Sequence, residues 1–241
     1  MTLRQQSLFA RTQMLLGAEG LARLRDSTVA VFGVGGVGSF AVEALARAGI
    51  GHLIIFDHDV VDVTNINRQL PALVSTVGQP KAQLMAARVS EINPDAKVEA
   101  RVEMFTETDV DLINPEWDYV VDAIDMVSAK VALIAGCVEK QVPIVAAMGA
   151  GNKLDPTRFL VEDISKTHTC PLAKVVRQKL RQRGIDHGVK VVFSTERPQT
   201  PHYPEGQPGK RVPGSVSYVP PVAGMILASV VVNDLVGASK G

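Results

Sequence analysis

The feature that most constrains this chain is the run VAVFGVGGVGSFAVEALARAGI at residues 29–50. A short apolar stretch stops at Gly33, Gly35, Gly36 and Gly38, and helical spacing begins without a linker. Gly33, Gly35 and Gly38 fit the G-x-G-x-x-G pattern, whose glycines let the backbone turn tightly and approach a phosphate without Cβ clashes. The helix that follows offers unpaired N–H groups and a positive dipole end to an anion. A second apolar run, HLIIFD, closes on Asp57, at about the distance of 20 residues where an acid takes ribose hydroxyls. A strand, a helix and a strand in this order imply a parallel sheet. The loop itself does not distinguish NAD, FAD and ATP.

The same alternation continues along the chain. PKAQLMAARVSEIN reads as a helix opening at Pro80 and stopping before Pro94. KVEARVEMF alternates like a strand, YVVDAID reads as a buried strand, SAKVALIAGCVEKQ as a helix and PIVAAMGAG as a strand. Residues 3–26 read as a helix ahead of the first strand. The expected fold class is therefore α/β, a doubly wound, mostly parallel sheet. We expect a single domain over 1–241, with a nucleotide-binding core at 1–153 and a substrate-binding part at 154–241. Beyond residue 153 the rhythm breaks. LAKVVRQKLRQRGI is a strongly basic helix, VKVVFSTE a strand, and 197–214 holds five prolines and three glycines. A loop of that length is functional or disordered.

Formal net charge is zero, yet it is unevenly spread. Residues 166–211 carry ten Lys or Arg against three Asp or Glu, about +7, and the remainder fifteen against twenty-two, about −7. This points to an anionic partner, or else to a solvated surface. Lys174, Arg177 and Arg181 recur at helical spacing with Lys179 and Arg183 beside them, a stripe that can follow a phosphate backbone. Within the long loop, His202, Tyr203, Lys210 and Arg211 add ring and cationic side chains. Cys137 and Cys170 are too few for a disulfide framework or a four-cysteine zinc site. Cys137 reads as core; Cys170, before a proline, reads as accessible but weak as a nucleophile. The apolar stretch 215–237 falls short of a membrane span because Pro220, Pro221, Asn233 and Asp234 interrupt it, so a buried core helix or strand is expected. The polar opening MTLRQQSLFARTQ carries no secretory signal, and a cytoplasmic location follows as the default.

Further residues narrow the nucleotide. Asn65 and Arg68, in DHDVVDVTNINRQL, share a face if the segment is helical. Lys81 stands at a helix start, and Asp125 ends YVVDAID at the carboxyl edge where ligands bind. Two cations and an amide suit a triphosphate more than a dinucleotide that carries hydride. Asp125 is a hard oxygen ligand suited to Mg²⁺. Lys81 as a solvated helix residue and Asp125 as a loop cap remain open alternatives.

GVGGVGS, FDHD, TNINRQ, GQPKA and DAID together resemble the adenylating enzymes related to ubiquitin activation, the ThiF/MoeB/HesA superfamily, over about residues 10–150. The resemblance implies a Rossmann-like adenylation fold, ATP with Mg²⁺, and a homodimer. It assigns Gly33, Gly35, Gly36 and Gly38 to the ATP site and Asp57 to the ribose. Asn65, Arg68 and Lys81 would hold the phosphates and Asp125 the metal, and Arg11 would reach into the partner subunit. EDISKT, PLAKVVRQKLRQRGI, VKVVFSTE and PGSVSYVPPVAGMILAS extend the resemblance to the subgroup that dehydrates threonylcarbamoyladenosine in tRNA. Cys170 stands where some of its members carry an acidic residue. This subgroup implies ATP-dependent ring closure on tRNA. The alternative is activation of a small ubiquitin-like sulfur carrier, although the chain lacks the C-x-x-C pairs common among such activators.

Overall fold

A computed structural model describes residues 8–203 and 212–237. The order is α1 (Ala10–Asp26), β1 (Thr28–Phe32), α2 (Gly38–Ala48), β2 (His52–Phe56), α3 (Lys81–Ile92), β3 (Lys97–Arg101), β4 (Tyr119–Asp122), α4 (Val127–Glu139), β5 (Ile144–Ala147), β6 (Phe159–Asp163), α5 (Pro171–Gln182), β7 (Lys190–Ser194) and α6 (Val219–Val236). Short 3₁₀ turns join several of them. The seven strands form one sheet, β3-β2-β1-β4-β5-β7-β6. Every pair is parallel except β6 with β7. This is the expected α/β, mostly parallel, doubly wound sheet. Residues beyond 153 add its last two strands. The antiparallel edge strand β6 departs from the strand–helix alternation of the sequence.

Side chains alternate across each strand and build two cores. Val29 and Val31 of β1 face one layer with Val42 and Leu45 of α2, Met85 of α3 and Leu227 of α6. Ala30 and Phe32 face the other with Leu133 of α4 and Val176 of α5. Apolar runs buried on both faces are what a parallel sheet requires. Stretch 215–237 resolves into α6, long and apolar enough to cross a membrane by composition. It instead packs against α2, α1 and β5, with Val219, Ala223, Leu227 and Val231 buried. Gly224 makes this close crossing possible, since a Cβ there would lie 2.2 Å from the Val37 carbonyl oxygen.

Helix α1 contains a break at Gly17, where φ is 72°. The first five residues of the expected 3–26 helix, and Lys210 and Arg211 of the long loop, lie outside the described residues. Asp125 does not end a strand: β4 stops at Asp122, and Asp125 stands three residues on, in the loop. Asn65 and Arg68 do not share a helix either, because Val63–Asn65 is a three-residue 3₁₀ turn.

Candidate active site

A cleft of about 340 Å³ opens at the carboxyl edge of β1, β2, β4 and β5, the edge where ligands bind in open α/β sheets. Its apolar floor is aromatic. Phe32 and Phe56, neighbours in register, stack at 4.3 Å between ring centres, and Phe105 meets Phe32 edge-on at 5.1 Å. Gly33, Gly35 and Gly36 form one wall. The loop is tightly wound: Gly33 has a positive φ of 84°, and the Gly33 N–H donates to the Phe56 carbonyl at 2.8 Å. Gly38 lies behind the loop, buried at the first turn of α2. A Cβ on Gly38 would sit 1.8 Å from the Gly33 carbonyl oxygen, so only glycine closes this turn.

Asp57 lines the cleft directly after β2. One carboxylate oxygen accepts from the Val34 N–H at 2.7 Å and the other from the Asp59 N–H at 2.8 Å. The acid thus braces the glycine loop, and each oxygen keeps a lone pair for a ligand hydroxyl. Lys81, the first residue of α3, lines the same cleft and is 4% exposed. Its Nζ donates to Asp59 Oδ2 at 2.8 Å, an ion pair at the cleft wall. Arg68 lines the cleft and donates from Nη1 to the Thr64 carbonyl and to Asn67 Oδ1, both at 2.9 Å. Asp125 also lines it, is exposed, and makes no hydrogen bond or ion pair among the described residues.

The remaining residues singled out in the sequence stand elsewhere. Asn65 is buried and accepts from the Asp62 N–H at 3.1 Å, as half of a capping box with Asp62. Arg11 is exposed at the start of α1 and does not line this chain's cleft. Lys174 and Arg181 are exposed on α5, on the opposite face of the sheet from α2. Arg177 is turned partly inward, donating to the Thr167 carbonyl at 2.7 Å and to the Thr167 hydroxyl. Cys170 is not accessible as expected; it is 2% exposed at the head of α5. Cys137 is fully buried in α4, where burial pushes its thiol up to about 12.

Several functional candidates escape a reading of the sequence. Asp122 and Lys130 are both fully buried, with Nζ to Oδ2 at 2.7 Å. Asp122 also accepts the Ile124 N–H at 3.0 Å, and Lys130 also donates to the Ala147 carbonyl at 2.9 Å. Burial pushes the Asp122 carboxyl up, and Lys130 pulls against it. The pair ties the loop carrying Asp125 to the end of β5. Its signal in the sequence is an acid within an apolar strand and a lysine within an apolar helix. Gln69 and Ser215 also line the cleft. The long loop reaches the site through its return leg, Pro213 to Ser215, and His202 and Tyr203 stand on its outgoing leg. Asn152, at a positive φ of 58°, fastens both legs. Its N–H donates to the Gly214 carbonyl at 2.8 Å, its Oδ1 accepts from the Gly214 N–H at 2.6 Å, and its carbonyl accepts from the Gln199 N–H at 2.7 Å.

Comparison with known proteins adds three findings. The ThiF family model matches residues 9–240. The tRNA threonylcarbamoyladenosine dehydratase of Bacillus subtilis is 50% identical over 238 residues, 94% of each chain. Crystal structures of the Escherichia coli tRNA N6-threonylcarbamoyladenosine dehydratase superpose along the whole chain at 36% identity. The complex with AMP gives a TM-score of 0.90 over 99% of this chain and 97% of that one. The complex with ATP gives 0.88 over 100% and 99%.

Proposed function

The chain belongs to the ThiF family, and on that premise we propose that it is an ATP-dependent dehydratase that adenylates the threonyl carboxylate of threonylcarbamoyladenosine in tRNA and closes it into a ring. The observation that carries this reading is the extent of the likeness. It spans the basic helix and the loop leg as well as the glycine loop.

The chemistry suits the residues. The threonyl carboxylate attacks the α-phosphorus of ATP, pyrophosphate leaves, and an acyl-adenylate results. Arg68 and Lys81 both line the cleft and can hold the phosphates as charge moves onto the leaving group. The glycine loop supplies backbone N–H groups, and Asp57 keeps lone pairs for the ribose. Asn65 serves at one remove, by shaping the turn from which Arg68 projects. Asp125, a carboxylate that lines the same cleft and has no hydrogen bond or ion pair among the described residues, fits a hard divalent ion and would hold Mg²⁺. Bound there, the ion would supply positive charge beside the phosphates. The neighbouring ureido group then attacks the acyl carbon and AMP departs. The attack is intramolecular, so proximity supplies much of the rate and no enzyme thiol is needed. Both thiols of the chain are buried.

The tRNA would lie along α5, whose exposed Lys174, Lys179 and Arg181, with Arg183 just beyond, form a cationic face. Arg177 contributes to that face only in part, since it also braces Thr167. We place the enzyme with its tRNA in the cytoplasm. We also propose a homodimer. Val60, Val63, Leu73, Val74 and Val77 are exposed along the segment that carries Arg68, an apolar density that marks an interaction surface. In such a dimer Arg11 would complete the partner's site.

The test is ATP–pyrophosphate exchange. Exchange should appear with tRNA carrying the threonylcarbamoyl modification and not with unmodified tRNA. Exchange driven instead by a small carrier protein with a free C-terminal carboxylate would favour the sulfur-carrier alternative.

A further inference from the structure

Ser215 lines the cleft on the return leg of the long loop. Its carbonyl accepts from Asn67 Nδ2 at 2.9 Å, and Asn67 Oδ1 accepts in turn from Arg68 at 2.9 Å. The preceding residue, Gly214, is held from the other side by Asn152. Consecutive residues of the return leg are therefore pinned, one to the segment carrying Arg68 and one to the loop after β5. Within this pinned leg the Ser215 hydroxyl oxygen is buried and has no hydrogen-bond partner among the described residues. Gln69 Oε1 is in the same state, and both residues line the cleft. A buried polar atom without a partner costs free energy, and its usual remedy is a ligand or an ordered water. Gln69 belongs to the nucleotide side, since its side-chain amide stands beside Gly35 of the glycine loop. Ser215 comes from the part of the chain that follows the basic helix, so its free hydroxyl calls for a different ligand group.

We propose that Ser215 is a substrate-positioning residue whose hydroxyl hydrogen-bonds the ureido group of the modified adenosine and aims it at the acyl-adenylate carbon. The assignment rests on the dehydratase reading above. A hydroxyl both donates and accepts, which matches a ureido group offering N–H and C=O on adjacent atoms. In ring closure a ureido heteroatom bonds to the acyl carbon. The bond from that carbon to the AMP oxygen breaks, the electron pair leaves with AMP, and the ureido proton passes to solvent. An acyl-adenylate whose ureido group is badly aimed meets water instead. Hydrolysis restores the carboxylate and releases AMP, so ATP is consumed with no ring formed. The link through Asn67 to Arg68 keeps the aiming group in register with the phosphate end of the same cleft.

The experiment measures pyrophosphate released and cyclic nucleoside formed in one reaction, for the wild type, Ser215→Ala and Ser215→Thr. The wild type should release little more pyrophosphate than it forms rings. Ser215→Ala should raise that ratio about fivefold, the worth of one hydrogen bond. Ser215→Thr, which keeps a hydroxyl, should return the ratio towards the wild type, and it also covers instability of the alanine variant. An unchanged ratio in Ser215→Ala, whether ring formation is normal or falls in step with pyrophosphate, overturns the assignment. A wild type that releases pyrophosphate with modified tRNA but forms no ring overturns the dehydratase reading, and this assignment with it.

Discussion

Gly38 has no room for a methyl group. With the Gly33 carbonyl 1.8 Å from where a Cβ would be, Gly38→Ala must push the loop off α2. We predict that this variant loses ATP binding in calorimetry while keeping its far-ultraviolet circular dichroism; retained affinity would contradict the loop's role as the phosphate cradle. Lys130 makes a different case. Lys130→Met would leave the Asp122 carboxyl buried without its cation, at a cost of about 3–5 kcal/mol. Denaturant unfolding should show that loss, and Asp122→Asn combined with Lys130→Met should recover part of it. These residues also show what a sequence reveals. The glycines, Asp57 and Lys81 are legible because local spacing places them at strand and helix ends, where the sheet edge decides their surroundings. Asn65 is not, since its side chain turns back to cap a short turn and only the turn's geometry says so. Asp122 and Lys130 stand out as charges within apolar runs, but no local pattern encodes their pairing across the core.

At the scale of elements, α5 has two faces. Ala173, Val176 and Leu180 are buried against the sheet, while Lys174, Lys179 and Arg181 are exposed. Lys174→Ala combined with Arg181→Ala should weaken tRNA binding. Its logarithmic salt slope should flatten by about one unit per lost phosphate contact, with ATP affinity unmoved. An unchanged slope would take tRNA off this helix. The β2–β3 edge carries the chain's clearest acid-sensitive contact. Lys97, then Arg101 and His52, hold the Glu99 carboxyl down at about 2. The unfolded chain binds that proton near the ordinary value of 4.5. The unfolded state therefore holds more protons between those two values, and stability falls as pH drops through that window. Melting of Glu99→Gln should show a flatter acid limb than the wild type. Helices and parallel strands were legible here because each has a strong period or a wholly apolar run. The edge strand β6 was not, because one of its faces is open and FLVED has no such run.

At the scale of the whole molecule, the head of α5 packs beside Gly149, next to the cleft-lining Ala150 and Gly151, and the proposed dimer would bring Arg11 of a second copy to the same cleft. Inactive Arg11→Ala and Lys81→Ala proteins, once mixed and shown to exchange subunits, should regain part of the activity in heterodimers with one intact site. No recovery would confine the site to one chain. The charge division between residues 166–211 and the rest fits an enzyme that meets a polyanion on one side only. The measurement that bears most directly on the central claim is mass spectrometry of nucleosides from tRNA incubated with the enzyme and ATP. Threonylcarbamoyladenosine should lose the mass of one water, only with ATP present, and Arg68→Ala should abolish the change. A nucleoside mass that stays constant while ATP is turned over to AMP would contradict it.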